Sequence, residues 1–449
     1  MDQVRRIERG DTLYKVNIDE PMYTVSNYPP LYTIVVAVIN SVLKIPLFQS
    51  GRITSLFFSI ICGIVIGLFG FHLTGNKLLG VFSSLLFWGH PYVLIWSSLA
   101  RVDMMALALS LLGLWIIFRR WNSNFWTGLA IICFLASAFT KQTYLLAGPL
   151  AGFIWLWYHN HHRAFGFIFL FGSLGLLSFS VINAISKGGL YTNIVLANVN
   201  QYDLSWAIAL SKQLLSISPI IFIICGVGAV LLIRLWIKNK STHQTENHQQ
   251  AFIIYGLGFY SIGAILSTLT VGKVGSTVNY FLELIVASAI WCPIVLQLIF
   301  NQRKMIKIPI LGLLFIQLVW MLVAAYYFSR SSIGKQWQNL SFYDSLYQQV
   351  QLATRKGIVL SDDYLDMVVL SGQAIYYQPF EYGQLYNAGL WDATKLSKEI
   401  EGKKFPLILI SGEKLDKPCC WPKLLITAIT NNYDISYSQN LVKCIPKNP

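Results

Sequence analysis

The first three-quarters of this chain consist largely of apolar runs separated by short polar segments. A helix that crosses the hydrocarbon core of a bilayer needs about 20 apolar residues. Only 12% of the 449 residues are charged and 55% are hydrophobic, whereas soluble domains carry roughly 25% charged residues. The sequence therefore excludes a disordered chain and indicates an all-α multi-span membrane bundle rather than a soluble enzyme. We predict ten spans, at about residues 52–74, 78–97, 102–118, 125–140, 143–158, 164–185, 215–236, 251–270, 278–299 and 308–328.

The net charge of +14 belongs to this apolar part of the chain. From Asp344 to the end, eleven acidic residues balance eleven basic ones, so the last part is neutral. A basic excess within membrane-spanning sequence is not the diffuse basic surface that attracts nucleic acid. We therefore expect the lipid bilayer, and no nucleic acid, as a partner.

Basic residues are unevenly distributed among the loops between the predicted spans. Ten lie in one alternate set of loops and five in the other. Because cytoplasmic loops hold the positive excess, the larger set marks the cytoplasmic side, and residues 1–51 and everything after Arg330 then lie outside. The larger set is Lys77, Arg119, Arg120, Arg163, Arg234, Lys238, Lys240, Arg303, Lys304 and Lys307.

An external position for residues 1–51 conflicts with how the sequence starts. Such a segment normally follows a signal or a hydrophobic helix that carries it across the membrane, and MDQVRRIERGDTLYKVNIDE contains neither. We expect that the chain starts late and lacks a first transmembrane helix. The alternative is that these residues stay in the cytoplasm and the first span is arranged differently.

After the last span the apolar runs give way to a mixed pattern. The runs GIVLSDD, MVVLSG, AIYYQPF and FPLILISGE predict short strands, and LWDATKLSKEIEGKK predicts a helix between two of them. We expect three regions: an external juxtamembrane segment (1–51), a transmembrane bundle (52–330) and a small C-terminal extracytoplasmic α/β domain (335–449).

Ionisable residues in or beside the spans gather on the predicted outer side. Such groups are costly at membrane depth, so each is a candidate for function. Taken singly, Arg101 and Asp103 fit a salt bridge at a helix end, and Lys141 and Lys273 fit snorkelling to the interface. Their common side favours one shared cationic site. Its members are Arg101 and Asp103 in SSLARVDMMALAL, Lys141 in AFTKQTYLL, and Lys273, Tyr280 and Glu283 in TVGKVGSTVNYFLELIVA.

The chemistry of this predicted site suits a lipid-linked phosphate whose chain lies in the bilayer. Lys and Arg can pair with phosphate oxygens and stabilise the charge that develops on a phosphate leaving group. A carboxylate can act as general base on an incoming hydroxyl.

Several segments resemble bacterial GT-C membrane glycosyltransferases of the family 39 and RgtA/B/C/D-like type, which is similar to dolichyl- or polyprenyl-phosphate-mannose mannosyltransferases. The segments are GDTLY, NYPPLYTIVVAVI, SSLARVDMMALALSLLGL, ASAFTKQTYLLAGPLA and GKVGSTVNYFLELIVA. The segments GIVLSDDYLDMVVLSG and LWDATKLSKEIEGKKFPLILIS resemble the C-terminal domain of such proteins.

This resemblance implies an enzyme of the cell envelope, active in lipopolysaccharide or glycan biosynthesis. It would take a sugar from a polyprenyl-phosphate donor and transfer it, with inversion, to a glycan, lipid or protein acceptor outside the cytoplasm. The implied location is the bacterial inner (plasma) membrane. No Asp-x-Asp motif argues for a metal ion, so we predict no metal ligands and leave a divalent metal open as a cofactor.

The resemblance also implies roles for particular residues. The Arg-x-Asp and Thr-Lys-Gln motifs would lie beside the donor phosphate, and the Tyr-Pro-Pro segment would frame the cavity. The family's general base lies upstream of the Gly-x-x-Leu-Tyr motif, which here spans Gly10 to Tyr14, so an N-terminal carboxylate is the candidate. The predicted site residues are Asp2, Asp19 and Asp103 (catalytic), Arg101, Lys141 and Lys273 (donor phosphate), and Tyr28, Pro29, Pro30, Gln142, Asn279, Tyr280 and Glu283 (cavity lining).

Two other functions stay open from the sequence alone. A transporter or flippase of lipid-linked sugars would use the same basic residues, although such proteins usually show inverted repeats and broken helices, and we find neither in the sequence. An inactive, truncated relative that acts as a partner in an envelope assembly is the other alternative.

Overall fold

The structure is a computed structural model that describes residues 1–242, 248–302, 307–330, 339–412, 420–438 and 441–448. Its first part is a bundle of helices, and its last part combines helices with one small sheet. The helices of the first part are α1 (Asp2–Arg9), α2 (Leu31–Leu43), α3 (Leu47–Thr74), α4 (Lys77–Trp88), α5 (Pro91–Ser98), α6 (Asp103–Arg120), α7 (Asn124–Thr140), α8 (Ala147–His159), α9 (His161–Ile185), α10 (Leu204–Ile217), α11 (Pro219–Thr242), α12 (His248–Gly272), α13 (Leu282–Gln302) and α14 (Lys307–Ser329).

Five of the described helices are long and apolar enough to cross a membrane, and two bent pairs raise this number to seven if each pair is one span. The pairs are α4 with α5, bent by 68°, and α10 with α11, bent by 93°. Both bends fall where a proline, Pro91 or Pro219, starts the second helix, because proline cannot donate the hydrogen bond that would continue the first. The molecule is thus a multi-span helical bundle, and the count of ten spans stays a prediction.

The difference from ten has a physical basis in the helix lengths. The run predicted at 125–140 forms a helix of 17 residues, and the run predicted at 143–158 forms one of 13 residues after a 3₁₀ turn at Gln142–Leu145. Helix α6 has 18 residues but carries Asp103, Arg119 and Arg120. The basic residues Arg303 and Lys304 lie outside the described residues.

Small residues allow the helices of the bundle to approach closely. A Cβ atom at Gly80 of α4 would lie 2.7 Å from the carbonyl oxygen of Gly67 in α3, and one at Gly263 of α12 would lie 2.6 Å from the Cα atom of Ala147 in α8. Within a membrane, helices associate through such backbone contacts because the lipid removes the hydrophobic driving force between them.

The last part of the chain holds a four-stranded sheet in the order β1-β2-β4-β3. Strands β1 and β2 are parallel, whereas β4 is antiparallel to both β2 and β3. The elements are α15 (Leu340–Lys356), β1 (Val359–Ser361), α16 (Leu365–Leu370), α17 (Pro379–Asn387), α18 (Thr394–Glu401), β2 (Leu407–Ser411), α19 (Lys423–Asn432), β3 (Tyr433–Ser438) and β4 (Leu441–Pro446).

The strands expected here are confirmed only in part. GIVLSDD and FPLILISGE contain β1 and β2, and LWDATKLSKEIEGKK contains helix α18. The strand expected at MVVLSG is wrong, since these residues mostly belong to helix α16, whose Met367, Val368 and Val369 are buried. In AIYYQPF, Tyr377 forms only an isolated bridge to Tyr23. A short apolar run does not distinguish a buried strand from a buried helical turn.

The α/β part contacts both the N-terminal segment and the bundle. The Gln378 N–H donates to the Tyr23 carbonyl (2.9 Å), and the Val25 N–H donates to Gln378 Oε1 (2.7 Å). The ring of Phe380, in α17 of the α/β part, lies against Gly275 of the bundle, which is between α12 and α13. The α/β part therefore covers one end of the bundle, which we call the domain end.

Candidate functional site

Three chain segments at the domain end bring polar side chains to one point. Asp103 is the first residue of α6, and Arg101 lies two residues before it. Lys141 directly follows α7, where the backbone becomes extended. Asn279 lies in the 3₁₀ turn that precedes α13. An acidic residue in the first turn of α6 is also favoured by the positive end of the helix dipole.

Asp103 is the centre of this arrangement and is fully buried. Its Oδ1 accepts hydrogen bonds from Lys141 Nζ and from Asn279 Nδ2, both at 2.7 Å. Its Oδ2 accepts from Arg101 Nε at 3.1 Å. We call these four residues the Asp103 cluster. With two cations and one carboxylate, the cluster carries a net positive charge.

The ammonium group of Lys141 is enclosed by aromatic rings as well as by Asp103. Its Nζ lies 4.5 Å from the ring centroid of Tyr280 and 5.8 Å from that of Tyr144. Only 1% of the Lys141 side chain is exposed. The ring faces partly replace lost hydration through cation–π attraction, so the charge of Lys141 is held in a fixed position.

Arg101 is the accessible cation of the cluster, with 37% of its side chain exposed. Its Nη2 donates to the Tyr28 hydroxyl (3.3 Å). Its backbone is fixed by Ser55, which accepts from the Arg101 N–H at 3.3 Å and donates to the Arg101 carbonyl at 3.0 Å. A guanidinium group held at one edge and open at the other can bind a phosphate or carboxylate with two parallel hydrogen bonds.

The segment around Tyr28 is fixed over the cluster from the N-terminal side. The Tyr14 hydroxyl donates to the Tyr28 carbonyl (2.9 Å), and Gln142 Nε2 donates to the Asn27 carbonyl (3.1 Å). Burial raises the pKa of Tyr14 above its ordinary value, so its hydroxyl stays a neutral donor. Pro30 caps helix α2, which continues this segment.

The remaining predicted carboxylates do not contact the cluster. Asp2 binds Arg6 Nε with Oδ2 (2.8 Å) and the Ile375 N–H with Oδ1 (3.1 Å). Asp19 lies in an exposed turn near the α/β part.

Two further predicted residues form no hydrogen bond or ion pair with the cluster among the described residues. Lys273 pairs through its backbone with Tyr202. Glu283 follows Asn279 by four residues, which places it one helical turn below the cluster. It is 4% exposed, and among the described residues its Oε1 has no hydrogen-bond partner.

The sequence did not single out three residues that the structure adds to the site. Tyr144 lies three residues after Lys141, and its place in the KQTY turn was a usable signal. Trp96, with its ring centroid 5.9 Å from the Arg101 guanidinium carbon, and Ser55 have no distinguishing pattern in the sequence. Within the described ranges, no group of three or more His, Cys, Asp or Glu side chains is placed to hold a metal ion.

No model of a known protein family matches the sequence, and no curated protein matches it either. By structure, the chain is similar to ArnT from Cupriavidus metallidurans, both bound to undecaprenyl phosphate (12% identity, TM-score 0.58) and in the apo state (10% identity, TM-score 0.59). Each comparison covers 98% of this chain and 91% of ArnT.

An Archaeoglobus fulgidus oligosaccharyltransferase tethered with an acceptor peptide is also similar, with 10% identity and a TM-score of 0.50 over 99% of this chain and 69% of that protein. These likenesses show that the chain shares the overall fold of ArnT and of this oligosaccharyltransferase.

Proposed function

We propose that this protein is a membrane glycosyltransferase that takes a sugar from a polyprenyl-phosphate donor and transfers it, with inversion, to an acceptor at the domain end of the bundle. The observation that carries this proposal is the Asp103 cluster, a net cationic site with one open guanidinium, placed where an apolar bundle meets a polar domain. A lipid phosphate fits this position, because its hydrocarbon chain can lie along the apolar bundle while its anionic head group binds the cationic cluster. ArnT, which shares the fold, was solved with undecaprenyl phosphate.

Within this proposal the cations have different tasks. The exposed Arg101 binds the phosphate oxygens of the donor. Lys141 lies behind it and stabilises the negative charge that grows on the phosphate as the bond to the sugar breaks. Lys273, on the loop before Asn279, would add to the positive potential that attracts the donor.

Asp103 is a positioning residue in this mechanism, because its carboxylate already accepts from three donors and is enclosed. The acceptor hydroxyl must lose a proton as it attacks the anomeric carbon. Of the predicted bases, Asp2 is occupied by Arg6 and Ile375, whereas Asp19 makes no ion pair among the described residues. Asp19 is therefore the carboxylate to test first.

The finer assignments follow from the sequence: the family from the resemblance, the spans from the apolar runs, and the orientation from the loop charges. We propose membership of the family 39 and RgtA/B/C/D-like enzymes, about ten spans, and an inner-membrane location with the α/β domain (335–449) outside the cytoplasm. Residue 335 itself lies outside the described residues.

The experiment is to measure binding of undecaprenyl phosphate to the purified full chain and to Arg101→Gln and Lys141→Met variants. Loss of one charge-assisted phosphate contact should weaken binding about tenfold or more. Arg119→Gln is the matched control, because Arg119 is an exposed arginine in the last turn of α6, far from Arg101, which precedes the first turn of that helix. Equal binding by all four proteins would contradict the site.

Transfer itself is tested with membranes that contain the protein and a series of synthetic polyprenyl-phosphate sugars. We expect conversion of one donor by the wild type and by Arg119→Gln, and none by Lys141→Met. Movement of the donor across the membrane without any chemical conversion would contradict the enzyme and favour a transporter.

A further inference from the structure

Helix α10 lies across the bundle instead of along it. It is set at 93° to α11, which follows it. With 24 residues, α11 rises about 36 Å, so by length it crosses the roughly 30 Å hydrocarbon core of a bilayer without α10. The residues that lead into α10 lie at the domain end, because Ala197 and Val199 pack into the apolar core of the α/β part. Helix α10 therefore crosses the bundle at this end.

The bundle itself fixes this crossing angle. Pro219 starts α11 and has no N–H to continue α10. The side chain of Gln317, buried in α14, bonds to both sides of the break: its Nε2 donates to the Ile217 carbonyl (2.8 Å), and its Oε1 accepts from the Ile220 N–H (3.0 Å). Polar side chains are costly within a span, and these bonds satisfy the amide, so the break is a built feature of the fold.

Helix α10 has one buried face and an exposed side. The buried face consists of Ala207, Leu210, Leu214 and Ile217. Residues four and seven apart lie on the same face of a helix, and neighbours in sequence are about 100° apart. By this spacing the exposed side carries an apolar stripe of Leu204, Ile208 and Leu215 and a polar stripe of Ser205, Lys212 and Ser216. The exposed side of α10 is therefore amphipathic.

The apolar stripe needs an apolar cover, and the chain around it indicates lipid. Within residues 204–233, Lys212 is the one charged residue. Helix α11, directly after α10, exposes Ile223, Val227 and Val230 on one face, as a helix that contacts lipid does. The apolar stripe thus continues along the chain into a lipid-facing surface.

Exposed aromatic rings mark the same level of the bundle. Trp206 belongs to α10, and Tyr202 lies two residues before this helix. At its other end, Trp320 Nε1 donates to the Ser216 carbonyl (2.9 Å). All three rings are exposed. Because Trp and Tyr are enriched where the hydrocarbon core meets the head groups, this level corresponds to a membrane–water interface.

We infer that α10 is an interfacial helix that lies in the plane of the bilayer at the domain end, with its apolar stripe among the acyl chains and its polar stripe, including Lys212, among the head groups. Helices of this kind bury their apolar face about 5–10 Å into the boundary between head groups and acyl chains. The partner of this surface is the phospholipid bilayer itself.

The position of α10 is connected to the candidate site. Residues 201–203 pair with residues 272–274 through backbone hydrogen bonds of 2.7 and 2.8 Å, and Trp206 Nε1 donates to the Ser276 carbonyl (3.2 Å). This loop leads into the turn that carries Asn279, a member of the Asp103 cluster. Contact of α10 with lipid therefore also holds the Asn279 turn at a fixed depth relative to the membrane surface, which makes α10 a positioning element.

The first test places a photoreactive diazirine amino acid at one position of the full chain at a time. The protein is illuminated in phosphatidylcholine nanodiscs, and lipid adducts are quantified by mass spectrometry. The positions are Ile208 in the apolar stripe, Phe315 in α14 as the positive control and Tyr437 in β3 as the negative control, and the two controls are similarly exposed (68% and 70%). We expect lipid adducts at Ile208 in the same yield as at Phe315 and only background at Tyr437.

Two outcomes of this labelling would overturn the inference. Background labelling at Ile208, with adducts at Phe315, would show that lipid does not cover α10. A crosslink from Ile208 to a second copy of the chain, in place of lipid, would show that the apolar stripe is an interface between copies.

The second test asks whether lipid contact positions the Asn279 turn. Ile208→Glu puts a carboxylate into the apolar stripe. Ala209→Glu is the matched control, because Ala209 is also exposed and is turned about 100° away, toward the polar stripe. In nanodiscs we expect several-fold faster hydrogen exchange in residues 272–281 of Ile208→Glu and wild-type exchange in Ala209→Glu, with exchange in α8 unchanged in both.

Equal exchange in residues 272–281 of the two variants would overturn the positioning role of α10. Neither measurement needs a donor or an acceptor, so both outcomes are independent of the proposed glycosyl transfer.

Discussion

At the scale of single residues, the site depends on a carboxylate that is not free to react. Asp103 is enclosed and accepts from two cations and an amide, so its charge compensates Lys141 and fixes the direction of Arg101. A lysine as buried as Lys141 would otherwise face a large desolvation penalty. The geometry thus requires Asp103 for stability before any substrate binds.

We predict that Asp103→Asn destabilises the protein by about 3–5 kcal/mol, because it leaves Lys141 as an uncompensated buried cation. Replacing both charges, Asp103→Asn with Lys141→Met, should recover much of this loss, since removal of a whole buried pair is often neutral. Transfer activity should be lost in both variants. Thermal unfolding in one detergent, with Arg119→Gln as the control, measures the stability. A double variant as unstable as the sum of the two single variants would show that the pair is not coupled.

The sequence predicted the site residues that are charged and lie within or beside apolar runs. Arg101, Asp103 and Lys141 stand out because charges are rare in apolar runs. Asn279 could be placed near them only through the neighbouring Tyr280 and Glu283. Ser55 could not be predicted, since its role depends on the packing of α3 against the loop before α6. The occupation of Asp2 by Ile375, 373 residues away, also had no local signal.

At the scale of helices, the bundle depends on close contacts that a single methyl group would break. A Cβ atom at Gly263 would lie 2.6 Å from the Cα atom of Ala147, and backbone atoms cannot rotate away. We predict that Gly263→Ala separates α8 from α12 and costs about 1–3 kcal/mol.

The matched control is Gly166→Ala in α9, where a Cβ atom meets nothing within 4 Å. Alanine there should leave stability unchanged or raise it by about 0.5–1 kcal/mol, because glycine is the weaker helix former. Both variants are compared by thermal unfolding. Equal stability of the two variants would contradict the close packing at Gly263.

Helix α17 carries a pH-dependent contribution to stability. Burial of Glu381 raises the pKa of its carboxyl from 4.5 to about 7. Its burial is therefore tolerated below pH 4.5, where the group is protonated in both states, and becomes unfavourable as the pH rises to 7. Above that pH the penalty is at most roughly 3–4 kcal/mol, since one pKa unit is about 1.4 kcal/mol.

We predict that Glu381→Gln slows hydrogen exchange in residues 379–387 at pH 8 and has little effect at pH 4.5. The control is Glu399→Gln, because the carboxylate of Glu399 forms an ion pair with Lys404. The same stabilisation by Glu381→Gln at both pH values would show that the carboxyl is not protonated by burial.

The bend angles between helices, and the choice between helix and strand for short runs, were less predictable than the presence of the long helices. The breaks at Pro91 and Pro219 follow from proline chemistry, but their angles of 68° and 93° come from the packing of the helices on both sides. The run MVVLSG has the composition of a strand, yet it folds as helix α16 because it covers β1 and α15 in a short connection. Long-range packing decided both outcomes.

At the scale of the whole molecule, helix α1 links the bundle to the α/β part. Its Val4 packs in one cluster with Val102 and Met105 at the start of α6. On its other side Arg9 Nη2 donates to the Gly372 carbonyl (2.9 Å), and Arg5 donates to the Val369 carbonyl. Helix α1 thus connects the α/β part with residues that precede and follow Asp103.

The carboxylate of Asp2 is the group in this link whose removal has the clearest consequence. It binds Arg6 Nε and the buried N–H of Ile375 together, so Asp2→Ala leaves a buried donor and a buried cation unpaired, a loss of about 1–3 kcal/mol for the donor alone. We predict faster hydrogen exchange in residues 369–378 and weaker undecaprenyl phosphate binding, while exchange in α8 and α12 stays unchanged. Glu8→Ala is the control, because Glu8 lies on the same helix but is exposed, and its side chain accepts a hydrogen bond from Asn40 of the bundle. Faster exchange in residues 369–378 with unchanged undecaprenyl phosphate binding would show that the α/β part is attached to the site without influencing it.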